Sequence, residues 1–111
     1  LYDIQKLAEF MQNYPSLNVV IEGHTSKQGS SGHNVKLSKR RAKAVADILV
    51  SKFGIPSSRV SAVGYGFSRL LDKGNSEKAH GMNRRIVAEL SNEVVSTDLK
   101  WTIYSVDEAL F

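Results

Sequence analysis

Residues 23–42 read GHTSKQGSSGHNVKLSKRRA, and this stretch decides the fold. It joins the end of a β-branched segment, residues 18–24, to a loop of glycine and serine and then to a long helical pattern over residues 35–53. Asn34 stands where a helix cap is expected, and Gly54 follows as a stop signal. The pattern predicts a buried strand, a short loop and a basic helix.

One charged residue of this helix, Arg41, falls where an apolar residue is expected. At 100° per residue, Arg41 shares a stripe with Leu37, Val45 and Ile48. A guanidinium keeps its charge, so on a core-facing stripe it requires an anion or a wet pocket. The spacing leaves two partners open: a bound ligand, or an internal carboxylate such as Glu22 or Asp72.

The composition describes one small domain with an anionic partner. A chain of 111 residues supports a single modest core, and no apolar run reaches the length of a membrane span. With no cysteine, disulfides and thiolate metal sites are excluded, and the net charge of +4 favours a negatively charged partner. Because a helical pattern begins at the first residues, we expect the chain to be a fragment of a longer protein.

The remaining pattern completes the order helix, strand, helix, strand, strand. Residues 3–14 carry apolar side chains at helix spacing and end before Pro15. Strands are predicted at residues 59–65 and 83–90, and residues 67–81 are polar enough for a surface loop with one helical turn. A strand between two helices favours helices packed on one sheet, an α+β fold.

The C-terminal tail predicts an additional strand over residues 99–106. Trp101 and Ile103 alternate there with Thr102 and Tyr104. The pattern leaves open whether the segment pairs at a sheet edge or is ordered only by a partner. We therefore divide the chain into a domain over residues 1–92 and a C-terminal extension over residues 93–111.

Several short motifs occur together in one order along residues 1–90. They are Gly23-His24-Thr25, Asn34, Leu37-Ser38, Arg41-Ala42, Gly64-Tyr65-Gly66 and Asn83-Arg84-Arg85. This set resembles the OmpA C-terminal-like domain family, which includes OmpA, Pal, MotB and MotY. The resemblance implies a two-layer α/β sandwich with the order β-α-β-α-β-β. The first strand is missing from this chain, and the segment around Trp101 is a candidate for its edge.

The resemblance also implies a function and a site. The family binds cell-wall peptidoglycan non-covalently, through the diaminopimelate of the stem peptide, and anchors an envelope protein to the wall. Carried over from the matching motifs, the resemblance implies that Arg41 binds a carboxylate, that Asn34 lines the pocket and that Arg84 lies at its edge. The implied domain is not an enzyme and has no cofactor. It lies in the periplasm of a Gram-negative bacterium, beside the outer membrane or wall, without inserting into the membrane itself.

One position departs from the family pattern. Most members have aspartate, which faces the ligand's ammonium, where this chain has Ser26. A hydroxyl accepts a hydrogen bond but supplies no charge, and losing the charge costs about 1–2 kcal/mol of binding. Either the domain binds peptidoglycan weakly, or an acid such as Glu22 compensates, or the site binds a differently modified peptide. The alternative function is therefore an assembly module with weak or lost peptidoglycan binding, which docks an envelope or flagellar protein or forms a homo-oligomer.

Other site types fit the sequence less well. The three histidines, His24, His33 and His80, lack metal-ligand spacing. Ser26 near His24 has no orienting acid for catalysis, and residues 29–32 lack the Lys-Ser/Thr pair of a phosphate loop. The aromatic residues do not interleave with the basic helix face, which argues against nucleic acid. That face predicts a solvated surface with a mild attraction for anionic polymers.

Overall fold

A computed structural model describes residues 2–92 and 99–103. The elements, in order, are α1 (Tyr2–Asn13), β1 (Asn18–His24), α2 (Ser31–Ser51), a 3₁₀ turn (Ser57–Arg59), β2 (Val60–Gly64), α3 (Glu77–Asn83), β3 (Arg85–Ser91) and β4 (Leu99–Ile103). The strands form one sheet in the order β2-β1-β3-β4. β1 runs parallel to β2 and antiparallel to β3, and β4 runs antiparallel to β3. The predicted α+β fold is confirmed.

Helices α1 and α2 pack on one face of the sheet. Val19 and Ile21 of β1 are buried in the core with Leu7 and Met11 of α1 and with Leu49 of α2. Alternate residues of β1 point to the opposite face, as the period of two requires. Among the described residues, no helix combines the length and apolarity needed to cross a membrane.

The start of α2 differs from the prediction. β1 has the predicted bounds, but α2 begins at Ser31 because the side chain of Ser30 accepts a hydrogen bond from the backbone N–H of His33. Ser30 is therefore the helix cap. The prediction that Asn34 caps α2 is wrong, since Asn34 lies inside the first turns with its side chain buried.

The polar segment before β3 contains more helix than predicted. Ser76 caps α3 by accepting from the N–H of Ala79, and the helix continues to Asn83. β3 consequently begins at Arg85 rather than at Asn83. A helix this short has no sustained apolar period, which is why the sequence pattern indicated only one turn.

The tail pairs at a sheet edge in its described residues. In β4, Ile103 lies opposite Ile86, and Trp101 lies opposite Ala88 and 6.2 Å from the ring of Phe10. Residues 104–106 of the predicted strand lie outside the described residues. That β4 takes the edge of the family's first strand stays a prediction, as does the domain division at residue 92.

Candidate functional site

The site begins where α2 crosses the end of β1. Ser38 is fully buried there: its Oγ donates to the carbonyl of Val35 at 2.9 Å and accepts from the N–H of Gly66 at 2.9 Å. This hydroxyl joins α2 to the turn that follows β2. The contact holds the first half of α2 over the carboxyl end of β1, where the candidate residues lie.

Ser26 and Asn34 meet around one loop residue, Gln28. The Oγ of Ser26 donates to the side-chain oxygen of Gln28 at 3.4 Å, and Nδ2 of Asn34 donates to its backbone carbonyl at 2.7 Å. Both Ser26 and Asn34 are buried, whereas Gln28 is exposed. The three side chains are neutral. The sequence prediction did not include Gln28. Its position in the loop, two residues after Ser26, was the sequence feature that pointed to it.

Arg41 lies on the same face of α2 as Asn34 and Ser38. The three residues are spaced i, i+4 and i+7, and Arg41 is half-buried. Glu22 belongs to the sheet face that α2 does not cover, so neither an Arg41–Glu22 pair nor the idea that Glu22 replaces the missing acid fits the structure. Asp72 lies in an exposed segment, where its carboxylate accepts from the N–H of Gly74.

Arg84 and Arg85 occupy opposite environments. Arg84 is exposed after α3, and its N–H donates to the carbonyl of His80. The β1–β3 pairing ends at His24 and Arg85, so one more residue of the same register puts Arg84 at the end of the sheet where Ser26 lies. Arg85 is 7% exposed and donates to the carbonyls of Asn83 and Arg69. That Arg84 lies at the edge of the site stays a prediction.

A second group of side chains, several of them charged, lies on the face of the sheet opposite to α2. His24 stacks on Tyr65, with ring centroids 5.5 Å apart. The guanidinium carbon of Arg69 lies 3.7 Å from the centroid of the Tyr65 ring. The Nε2 of His24 lies 3.3 Å from Oε1 of Glu22. Glu22, His24, Arg69 and Arg85 are among the residues that line a cavity of about 290 Å³.

His24 and the nearby Glu89 have pKa values away from their ordinary range. Burial, and the positive charges of Arg85 and Arg69, lower the pKa of His24 to about 4. On the neighbouring strand, a hydrogen bond to Glu22 and the repulsion between the two carboxylates raise the pKa of Glu89. His24 is therefore neutral at pH 7.

The stability of the domain should fall in acid because of His24. The unfolded chain takes up a proton near pH 6.5, whereas folded His24 does so only near pH 4. As the pH falls from 6.5 to 4, the unfolded state takes up the proton before the folded state does. The free energy of unfolding therefore decreases by roughly 2–3 kcal/mol. Glu89, with its raised pKa, acts in the opposite direction and offsets part of this loss.

The His24 contribution is measured by comparing His24→Gln with the native chain. Denaturant unfolding at pH 7 and pH 4 should show a smaller loss of stability for the variant. His33→Gln, at an exposed histidine, is the matched control and should follow the native curve. Equal losses in all three chains would contradict the assignment.

The described residues hold no group of three or more histidines and carboxylates placed to bind a metal ion.

Comparison with known proteins adds the relatives of this chain. The model of the OmpA family matches residues 2–84. Outer membrane porin F of Pseudomonas aeruginosa is 46% identical over 91 residues, which are 82% of this chain and 26% of the porin. The peptidoglycan-associated lipoprotein of Legionella pneumophila is 37% identical over 86 residues, 78% of this chain and 48% of the lipoprotein.

A solved structure of the same kind of lipoprotein is also similar to this chain. The crystal structure of the peptidoglycan-associated lipoprotein from Burkholderia pseudomallei superposes with a TM-score of 0.70 at 30% identity, covering 75% of this chain and 70% of that one. The chain thus spans about a quarter of the porin and about half of the Legionella lipoprotein.

Proposed function

Because the chain belongs to the OmpA family, we propose that it binds cell-wall peptidoglycan non-covalently and anchors an envelope protein to the wall. OmpA-like domains of this kind bind rather than catalyse, so the chain is not an enzyme. Its relatives carry names that refer to the outer membrane and to peptidoglycan, which supports a periplasmic location in a Gram-negative bacterium.

The observation that carries the proposal is the alignment of Arg41 with Asn34 on the face of α2 that covers the end of β1. In the proposed complex, Arg41 donates two parallel hydrogen bonds to a carboxylate of diaminopimelate in the stem peptide. Ser26 accepts from the ligand's ammonium, and Asn34 holds the loop carbonyl of Gln28 beside it. Arg84 adds positive charge at the rim.

The neutral group around Ser26 sets the expected affinity. No carboxylate among the described contacts of Ser26 and Asn34 faces the ammonium, so that end of the ligand receives only neutral hydrogen bonds. Charge-assisted hydrogen bonds are roughly twice as strong, so we expect binding about tenfold weaker than with an aspartate.

Sedimentation with purified peptidoglycan tests the proposal. Arg41→Ala should bind more weakly, because a charge-assisted pair is lost. Half-maximal binding should require at least about ten times more peptidoglycan. Arg40→Ala is the matched control, because Arg40 is the exposed neighbour of Arg41, and it should bind normally. Ser26→Asp should strengthen binding by about tenfold, provided that circular dichroism shows a native fold.

The outcomes separate the two functions. If the native chain does not bind and Ser26→Asp does not restore binding, the wall-anchor proposal fails and the assembly-module alternative remains. If Arg41→Ala binds as strongly as the native chain, the site is wrong even where the wall is bound.

A further inference from the structure

The outer edge of β2 is the second surface of interest. β2 ends the sheet opposite to β4, and within residues 2–92 and 99–103 no strand pairs with its outer side. Its residues are all partly or fully exposed, whereas β1 is buried from Ile21 onward. An edge strand of this kind presents backbone groups to which another chain can pair.

The alternation of the backbone along β2 identifies which N–H groups point away from β1. The N–H of Tyr65, just after β2, donates to the carbonyl of Gly23 in β1. Backbone groups alternate in direction along a strand, so Ser61 and Val63 face β1 in the same way as Tyr65. The N–H groups of Ala62 and Gly64 therefore face the outer edge.

Helix α2 runs alongside this edge and supplies two kinds of contact. A stripe at helical spacing contains Lys39, Lys43, Ala46 and Val50. The backbone of Lys39 lies against Gly64 at one end of β2. At the other end, Ala46, Val50 and Val60 line a groove of about 300 Å³, together with Asp47 and two serines. The surface is thus basic beside the end of β2 and mainly apolar beside its start.

We propose that this surface binds an extended acidic peptide, which adds to the outer edge of β2 as a further strand. The peptide backbone pairs with Ala62 and Gly64, its acidic side chains face Lys39 and Lys43, and an apolar side chain enters the groove beside Val60. Pairing by the backbone supplies affinity, while the alternating side chains supply specificity.

Charge decides which occupant fits. Lys36, Lys39, Arg40 and Lys43 give this side of α2 four positive charges. Asp47, 3.5 Å from Lys43, offsets one of them, so the side remains basic. A second copy of this chain would bring the same lysines against each other in an edge-to-edge pairing. An acidic segment meets opposite charge instead. This surface is distinct from the site around Arg41, so it does not depend on wall binding.

The test uses a fluorescent synthetic peptide that alternates glutamate with valine and ends in leucine. It should bind saturably, and a peptide with lysine in place of each glutamate should not. The double variant Lys39→Glu/Lys43→Glu should weaken binding at least about tenfold, since two attractions become repulsions. Lys73→Glu/Lys78→Glu makes the same charge change at exposed lysines elsewhere and should change binding less than about twofold.

Amide hydrogen exchange locates the bound peptide. Protection should increase at Ala62 and Gly64, with little change at Ser61 and Val63, whose N–H groups already face β1. The proposal is overturned by an absence of saturable binding, by equal losses in both double variants, or by new protection at β4 instead. Self-association of the chain through this edge would equally overturn it.

Discussion

Replacing Gly23 with alanine should destabilise the domain by at least about 4 kcal/mol and leave much of it unfolded. A Cβ on Gly23 would lie 2.7 Å from the carbonyl carbon of Ser38 and closer still to its oxygen. Both atoms belong to the backbone of α2, so no side-chain rotation relieves the clash. The helix must move away from β1, which also breaks the Ser38–Gly66 hydrogen bond.

Gly32→Ala is the matched control for Gly23→Ala. Gly32 lies in the first turn of α2 with nothing within 4 Å of its Cβ position, so alanine should leave stability unchanged or raise it by up to about 1 kcal/mol. Thermal and guanidinium unfolding of both variants measure the difference. A Gly23→Ala chain with native stability would show that α2 does not lie this close to β1.

The second large effect is expected at Asn83. Its Oδ1 accepts from the N–H groups of Leu71 and Asp72, and its Nδ2 donates to the carbonyl of Asp72. Asn83 is fully buried, so alanine removes three hydrogen bonds and leaves backbone groups without this partner. At roughly 1 kcal/mol for each bond, Asn83→Ala should lose about 3–4 kcal/mol.

Asn83→Asp and Asn75→Ala make the test specific. Aspartate keeps the two acceptor contacts but sets a buried carboxylate oxygen against the carbonyl of Asp72, so Asn83→Asp should also be clearly less stable than the native chain. Asn75 is exposed in the same segment, and its replacement should change little. Hydrogen exchange at Leu71 and Asp72 should accelerate in Asn83→Ala; unchanged exchange there would contradict the role of Asn83.

Much of the fold was predictable because it depends on local pattern. The β-branched run of β1 predicted its bounds, and alternation placed Val19 and Ile21 on one face with Glu22 on the other. The helical period put Arg41 on a core-facing stripe with Leu37 and Ile48, but all three are half-buried and lie beside the buried stripe of α2. Helix ends were less predictable, since Ser30 and Asn34 are both good caps. Their contacts distinguish them: Ser30 accepts from the N–H of His33, whereas the side chain of Asn34 bonds to Gln28.

The sequence by itself determined the family and the alternation of the strands. Only the tertiary structure decided which charged groups meet. It separated Glu22 from Arg41, buried Arg85 while leaving Arg84 exposed, and turned Asn83 from a strand residue into the support of the preceding segment. These outcomes depend on strand order and on the register between residues far apart in the chain, which no local period encodes.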